Sequence, residues 1–362
     1  MLIIACGGST DDSSPQTQPL VNPTDSPVPT PKPAPSYSAP VPPLTTADIF
    51  PPRDLSQYHL DPAHIRTVIA TGDVIPARHT DYMIRNMGNN FEYAVDATKD
   101  ITSAADITVI NLEAPLIDGC PEEAGETFTF CGQPGFTAAL QDAGVDVATL
   151  ENNHIGNYAS DGITETEQHL DTAGIKWADR STPAIITVRG LKFGFLAFNA
   201  VGEAVDRVAM KAQIEALRPQ VDVISVAFHW GMEYVPLPIP APGIADDDPV
   251  ELAHLAIDDG ADLIIGNHPH WVQSVEIYKG KYITYAHGNF IFDQMWSYET
   301  RVGVVGKYTF YDDTLIGVEY TPILIDNYVQ PVPLEGADRQ AVLDTMKRDT
   351  DELAAKLAAA GG

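Results

Sequence analysis

Basic residues are scarce in this chain: 21 Lys and Arg stand against 50 Asp and Glu, a formal net charge of −29 over 362 residues. That balance argues against a nucleic-acid partner, whose backbone needs basic surface. It favours solubility and suits a protein that handles metal cations. Cysteine is nearly absent, with three in the chain. Two of them, Cys120 and Cys131, bracket the loop Pro121-Glu122-Glu123-Ala124-Gly125-Glu126-Thr127-Phe128-Thr129-Phe130. Outside the cytoplasm a disulfide closing this loop is expected; two reduced thiols or half of a metal site are the alternatives. No neighbouring Cys or His completes a structural zinc pattern around them. Long apolar runs are missing too, so no stretch spans a bilayer as a helix. Membrane attachment would have to be through lipid.

The start Met1-Leu2-Ile3-Ile4-Ala5-Cys6 is an apolar run, a small residue and a cysteine. It resembles the end of a bacterial lipoprotein signal, without the basic segment that opens one; a short apolar tip is the alternative. Residues 7–52 are rich in Pro, Ser, Thr and Asp. Such a stretch cannot bury a core and is expected to be a disordered or polyproline-like spacer. The expected layout is a lipid-bearing tip at 1–6, the spacer at 7–52, a folded domain at 64–335 and an Ala-rich helix at 336–362. It places the protein outside the cytoplasm, lipid-anchored at a bacterial cell surface.

Within the domain, one pattern recurs. A short apolar run ends in a polar cluster, and in several cases a helical stretch follows. The clusters are Gly72-Asp73, Asn111-Leu112-Glu113, Glu151-Asn152-Asn153-His154, Phe228-His229, Gly266-Asn267-His268-Pro269-His270 and His287-Gly288-Asn289. Alone, each has a bland reading: Asp73 as a turn or cap residue, His229 as a core histidine, His268 and His270 as loop residues around a turn proline. Together they carry more weight, because strand C-termini converge where α/β sheets place their sites. Asp73, Glu113, Asn153, His229, His268 and His270 are expected in one cleft.

Carboxylates, an amide and imidazoles suit one or two divalent ions such as Mn, Fe or Zn. A bridging carboxylate could hold two ions about 3.5–4 Å apart. His154 is a candidate general acid or hydrogen-bond donor, and Arg78 a candidate anion binder. His287, with Asn289, either faces substrate or holds the turn after its strand, and Glu233 and Tyr234 either line the cleft or cap and pack. The proline-rich loop 235–249 is long enough to be functional or mobile. Asp246-Asp247-Asp248 is expected as a solvated run, Trp271 and Trp296 as core. Residues 91–105 show helical periodicity.

Six motifs occur in order: Gly72-Asp73-Val74-Ile75-Pro76-Ala77-Arg78, Asn111-Leu112-Glu113-Ala114-Pro115-Leu116, Asn152-Asn153-His154, His229-Trp230-Gly231-Met232-Glu233-Tyr234, Gly260-Ala261-Asp262 through His270, and Tyr285-Ala286-His287-Gly288-Asn289-Phe290. Over residues 65–333 the chain resembles the CapA family of bacterial capsule-synthesis proteins linked to poly-γ-glutamate. The resemblance implies an α/β fold, a calcineurin-like metallophosphoesterase α/β/β/α sandwich with central mixed sheets. It places Asp73, Glu113, Asn153, His229, His268 and His270 at metal-site positions and His154 beside the reaction centre.

The chain departs from the broader pattern at three places. Ile75 stands where Asp-x-His has its histidine, Asn-Leu-Glu replaces Gly-Asp-x-x-Asp, and Asn157 replaces an aspartate. The implied activity is metal-dependent hydrolysis of phosphoester or amide bonds, in an anionic envelope or capsule polymer or in a small substrate. A metal-independent acid–base epimerase of peptides is the alternative enzyme. A non-catalytic anchored scaffold for polyglutamate or its synthase is the third reading, and a capsule synthase complex is the implied partner.

Overall fold

The computed structural model describes residues 41–125 and 127–360. The lipid-bearing tip expected at 1–6 and the spacer up to residue 40 lie outside the described residues.

Apolar runs without alternation make strands buried on both faces, and these form two sheets. The chain first lays down four parallel strands, β1 (Ile65–Val74), β2 (Ile107–Leu112), β3 (Val147–Thr149) and β4 (Lys176–Ala178). It then builds a second sheet from β5 (Ala184–Val188), β6 (Leu191–Asn199), β7 (Val223–His229), β8 (Leu263–Asn267), β9 (Val275–Tyr278) and β10 (Lys281–Thr284). Finally it returns to the first sheet as β11 (Asn289–Ile291), β12 (Val302–Tyr311), β13 (Thr314–Asp326) and β14 (Gln330–Pro333). The first sheet runs β14-β13-β12-β1-β2-β3-β4, with β11 also paired to β1; the second runs β5-β6-β7-β8-β10-β9. Both are mixed, with antiparallel partners toward the edges.

The two sheets share a core. Val68, Ala70, Ile107 and Val109 of the first meet Phe193, Phe195, Leu263 and Ile265 of the second. A fully buried side chain of this kind stabilises by about 1.5–3 kcal/mol. Alternate residues serve the outer faces. Ile69 and Ile110 pack in a cluster with residues of α1 (His79–Asn86), α3 (Thr137–Asp142) and α4 (Ala159–Ala173), to which the short α2 (Lys99–Thr102) adds Ile101. Leu196, Ile224 and Ile264 pack with α5 (Arg207–Leu217) and α6 (Pro249–Asp258). The layering is the expected α/β/β/α sandwich. One turn, α7 (Tyr298–Arg301), leads into β12, and α8 (Gly336–Ala360) closes the chain. Val342, Leu343 and Met346 of α8 enter the inter-sheet core.

Two expectations are corrected. Residues 91–105 form single turns rather than one helix: a 3-10 turn at Phe91–Ala94 and then α2. Hydroxyls compete for the helical carbonyls there, Thr98 bonding to Val95 O at 3.3 Å and Ser103 to Lys99 O at 2.6 Å. The spacer also ends earlier than composition indicates. Leu44 and Ile49 are buried in the inter-sheet core, and Phe50 stacks on Tyr320 at 6.3 Å. Arg53 pins this segment by donating to Pro42 O, Pro43 O, Ile316 O and the Asp48 carboxylate. Three apolar side chains and one guanidinium thus outweigh a proline-rich composition.

Candidate metal centre

Each donor sits where a strand stops. Asp73 ends β1, and Gly72 before it is required: a Cβ there would come within 2.0 Å of Gly288 O, on the turn that precedes β11. Asn111 and Glu113 flank Leu112, the last residue of β2, Asn153 follows β3, and His229 is the last residue of β7. His268 and His270 follow β8 with φ of 94° and 57°. Both lie in the left-handed region, which takes them out of strand alternation on either side of Pro269. The donors therefore come from both sheets of the sandwich.

All six expected donors come together. His270 Nδ1 lies 3.2 Å from Asp73 Oδ2 and 2.9 Å from Asn289 Oδ1. His229 Nε2 lies 2.8 Å from Asn153 Oδ1 and 3.2 Å from Glu113 Oε1. The His229 and His268 rings are 4.7 Å apart. Three donor groups have ligand atoms within 4.8 Å of one another: Glu113 with His229 and His268, Asp73 with Glu113 and His270, and Glu233 with His268 and His270. Glu113 is common to the first two, as a bridging carboxylate would be.

Burial sets the electrostatics. It opposes the charge of Asp73, but the hydrogen bond and charge of His270 outweigh it and hold the carboxyl below its usual range. Burial, then the Asp73 charge, pushes Glu113 well above its usual range. Burial drives His229 down to about 3 and His268 well below its usual value. Burial also opposes the charge on His270, but Asp73 and the neighbouring carboxylates raise it to about 9.

Several of these polar atoms make no well-formed hydrogen bond. Both ring nitrogens of His268, whose residue is 1 % exposed, lack a hydrogen bond, as does Glu113 Oε1. Buried polar atoms are nearly always satisfied, so orphans clustered among carboxylates and imidazoles fit a divalent cation.

The other three candidates fare differently. His154 lies beside the cluster: Nδ1 donates to Asn157 Oδ1 at 3.1 Å and the ring stacks on Phe130 at 4.0 Å. Asn157 Oδ1 also accepts from Phe130 N at 2.6 Å, so the amide orients His154 without a carboxylate. Burial lowers His154 to about 4. Its bare Nε2 is then an acceptor at neutral pH, not the expected donor.

Arg78 is not a free anion binder. Its guanidinium pairs with the Asp293 carboxylate and lies 5.0 Å from the Phe130 ring and 4.8 Å from that of Phe292. Asp293 also accepts from His79 N at 3.0 Å, tying Arg78 to the start of α1. His287 is fully buried, with Nδ1 3.2 Å from Gly266 O and Nε2 2.9 Å from Tyr308 Oη. Both ring nitrogens are occupied, so it holds the turn rather than facing substrate.

Sequence reasoning gave Asn111 no role; Asn289 and Glu233 it read only as turn or cleft residues. Asn111 Nδ2 reaches Asp73 Oδ1 at 2.8 Å, Glu113 Oε2 at 3.5 Å and His229 Nδ1 at 3.4 Å. Its place two residues before Glu113, on the same strand face, was the available signal. Trp296, expected in the core, is 62 % exposed and stands edge-on to Tyr234 at 4.9 Å. A cavity of about 320 Å³ opens beside the donors, lined by Asn153, His268, Glu233, Met232, Pro242 and Ile244. The proline-rich loop supplies its outer wall, and Gln273 pins that loop by donating to Val235 O and Leu237 O.

The sequence model of the family described as "Bacterial capsule synthesis protein PGA_cap" matches residues 67–294. The chain is 26% identical over 314 residues to the capsule biosynthesis protein CapA of Bacillus anthracis, covering 79% of this chain and 74% of that one. It is 25% identical over 309 residues to the PGA biosynthesis protein CapA of Bacillus subtilis (strain 168), covering 77% of each. Among solved structures, a hypothetical protein from Thermus thermophilus superposes with a TM-score of 0.46 at 15% identity, covering 72% of this chain and 100% of that one.

Proposed function

The chain belongs to the bacterial capsule synthesis protein family PGA_cap, and on that premise we propose that it is an accessory protein of capsule or poly-γ-glutamate biosynthesis that acts as a metal-dependent hydrolase. The observation that carries the reading is the buried His268 ring, with no hydrogen bond at either nitrogen, grouped with Glu113 and His229. Asp73, Glu113 and His270 would hold one divalent ion, and Glu113, Asn153, His229 and His268 a second. When bound, such ions supply Lewis-acid stabilisation of charge on a phosphoryl or carbonyl oxygen.

The chain's own groups do the rest. Asn111 fixes the Asp73 and Glu113 carboxylates against each other. His154, neutral and fixed through Nδ1, accepts a proton or hydrogen bond at Nε2. The cavity bounded by the proline-rich loop receives the phosphoester or amide of an envelope polymer or of a small substrate. Action at the cell surface, through a lipid on Cys6 and beside a capsule synthase, completes the proposal. No helix among the described residues is long and apolar enough to cross a membrane.

The test is elemental analysis of protein purified without chelator, followed by turnover of phosphoester and γ-glutamyl amide substrates. His268→Ala is expected to lower turnover by about 100-fold or more, on the scale of a lost catalytic contact. Unchanged turnover in that variant would sink the hydrolase. A metal-free epimerase is the second reading, favoured by Glu113 and His270, both pushed toward protonation within one buried cluster. Full activity in chelator, with proton exchange at a substrate Cα, would choose it instead.

A further inference from the structure

We propose that Glu233 is itself a metal ligand, supplied from the turn after β7 to complete a donor set that β1 leaves short; this rests on the metal-binding reading above. Ile75 can offer nothing to an ion. It is fully buried in an apolar cluster with Ala77, Ala114, Phe130 and Phe292. On the other wall, Glu233 Oε1 lies 4.0 Å from His268 Nε2 and 3.9 Å from His270 Nε2.

Those separations exceed the roughly 3.2 Å limit of a hydrogen bond. They fall within about 4.3 Å, the widest span between two donors bonded to one ion at roughly 2.0–2.2 Å. His268 Nε2 has no hydrogen-bond partner in the protein. No Lys or Arg pairs with Glu233 among the described residues; the nearby ring nitrogens are those of the two histidines.

The backbone holds the carboxylate in place. Gly231 and Tyr234 have φ of 78° and 60°, the second uncommon for a bulky residue. Tyr234 N donates to Pro269 O at 2.9 Å, docking this turn onto the His268-Pro269-His270 turn. Gln294 donates to Tyr234 Oη at 2.9 Å, and the Tyr234 ring stacks on His270 at 6.0 Å. Glu233 thereby stands at the open side of the cluster, with its side chain 40 % exposed and lining the cavity. It is far more exposed than the other carboxylates and the imidazoles of the cluster.

Equilibrium dialysis of the full chain against Mn(II), read by elemental analysis and Mn(II) electron paramagnetic resonance, tests this with Glu233→Gln and His268→Ala beside the unaltered protein. The Gln variant keeps the volume of a partly exposed side chain, and an unchanged melting temperature in chelator verifies its fold. Loss of about one bound equivalent, or affinity weaker by about tenfold or more, is expected for Glu233→Gln. Affinity and stoichiometry within twofold of the unaltered protein, while His268→Ala loses metal, would overturn the Glu233 assignment and leave the metal centre standing. No retained Mn(II) in the unaltered protein would overturn the metal-binding reading, and this assignment with it.

Discussion

The Asn111 amide lies 2.8 Å from Asp73 Oδ1 and 3.5 Å from Glu113 Oε2, and its own oxygen accepts from Asn152 Nδ2 at 3.2 Å. It holds the two carboxyl groups close together. Partners of this kind typically set metal affinity by 10–100-fold. Asn111→Ala is expected to weaken Mn(II) binding by about that factor, read by isothermal titration, with little change of fold. Affinity equal to that of the unaltered protein would show that the carboxylates position themselves. Arg78 and His287 illustrate the opposite outcome at this scale. Both carry reactive groups in the right motifs, yet Asp293 occupies one and Gly266 O with Tyr308 the other. A motif supplies a residue type; its neighbours in space decide whether its polar atoms remain available.

Among the elements, the loop between Cys120 and Cys131 matters most for the site. The two cysteines form a disulfide with Cα atoms 5.9 Å apart, as the oxidising-compartment reading expects. Phe130, next to Cys131, stacks on His154 and lies beside the Arg78 guanidinium. The bridge therefore restrains the ring that positions His154. Reduction, or Cys120→Ser with Cys131→Ser, is expected to lower stability by about 2–3 kcal/mol for a loop this short. It should also lower turnover while leaving bound metal nearly unchanged. Equal loss of metal and turnover would argue that the loop supports the donors directly. In the acidic run 246–248, Asp246 and Asp248 are exposed as expected, and Asp247 is the correction. Asp247 is buried, accepts from Val205 N at 2.8 Å and pairs with Arg207 at 3.1 Å. Asp248 caps α6 through Val250 N and Glu251 N. A solvated run was the reading from charge alone, but a carboxylate before a helix finds its free N–H groups.

For the whole molecule, the buried histidines make acid stability a test of the fold. Burial holds His287 at about 4, below its ordinary 6.5. The unfolded chain therefore takes up this proton first. The histidine's contribution to stability is complete above pH 6.5 and is lost as pH falls toward 4. The shift corresponds to about 3 kcal/mol across that window. Urea unfolding at pH 7, 6 and 5 is expected to show a progressive fall, smaller in His287→Gln. A flat profile in both proteins would mean that His287 is hydrated or protonated in the native state. The same burial brings Tyr308, Thr284 and Tyr320 into a hydroxyl chain between the sheets, at 2.7–2.9 Å from His287 to Tyr320. These four side chains satisfy one another within the core.

Much of this was legible in the sequence. Uninterrupted apolar runs ending in polar clusters determined the strands, and their C-terminal ends determined where Asp73, Glu113, Asn153, His229, His268 and His270 would stand. That information is local: a strand's burial and its last residue are written in adjacent positions. The tertiary structure alone decided which polar atoms stayed unpaired. Asp293 beside Arg78 and Tyr308 beside His287 are contacts between residues 215 and 21 positions apart. It also decided that Glu233 meets His268 and His270 across the joined turns, and that residues 41–52 pack as part of the domain. Hydrogen-bond partners and desolvation depend on what packs from elsewhere in the chain, and no local pattern encodes that.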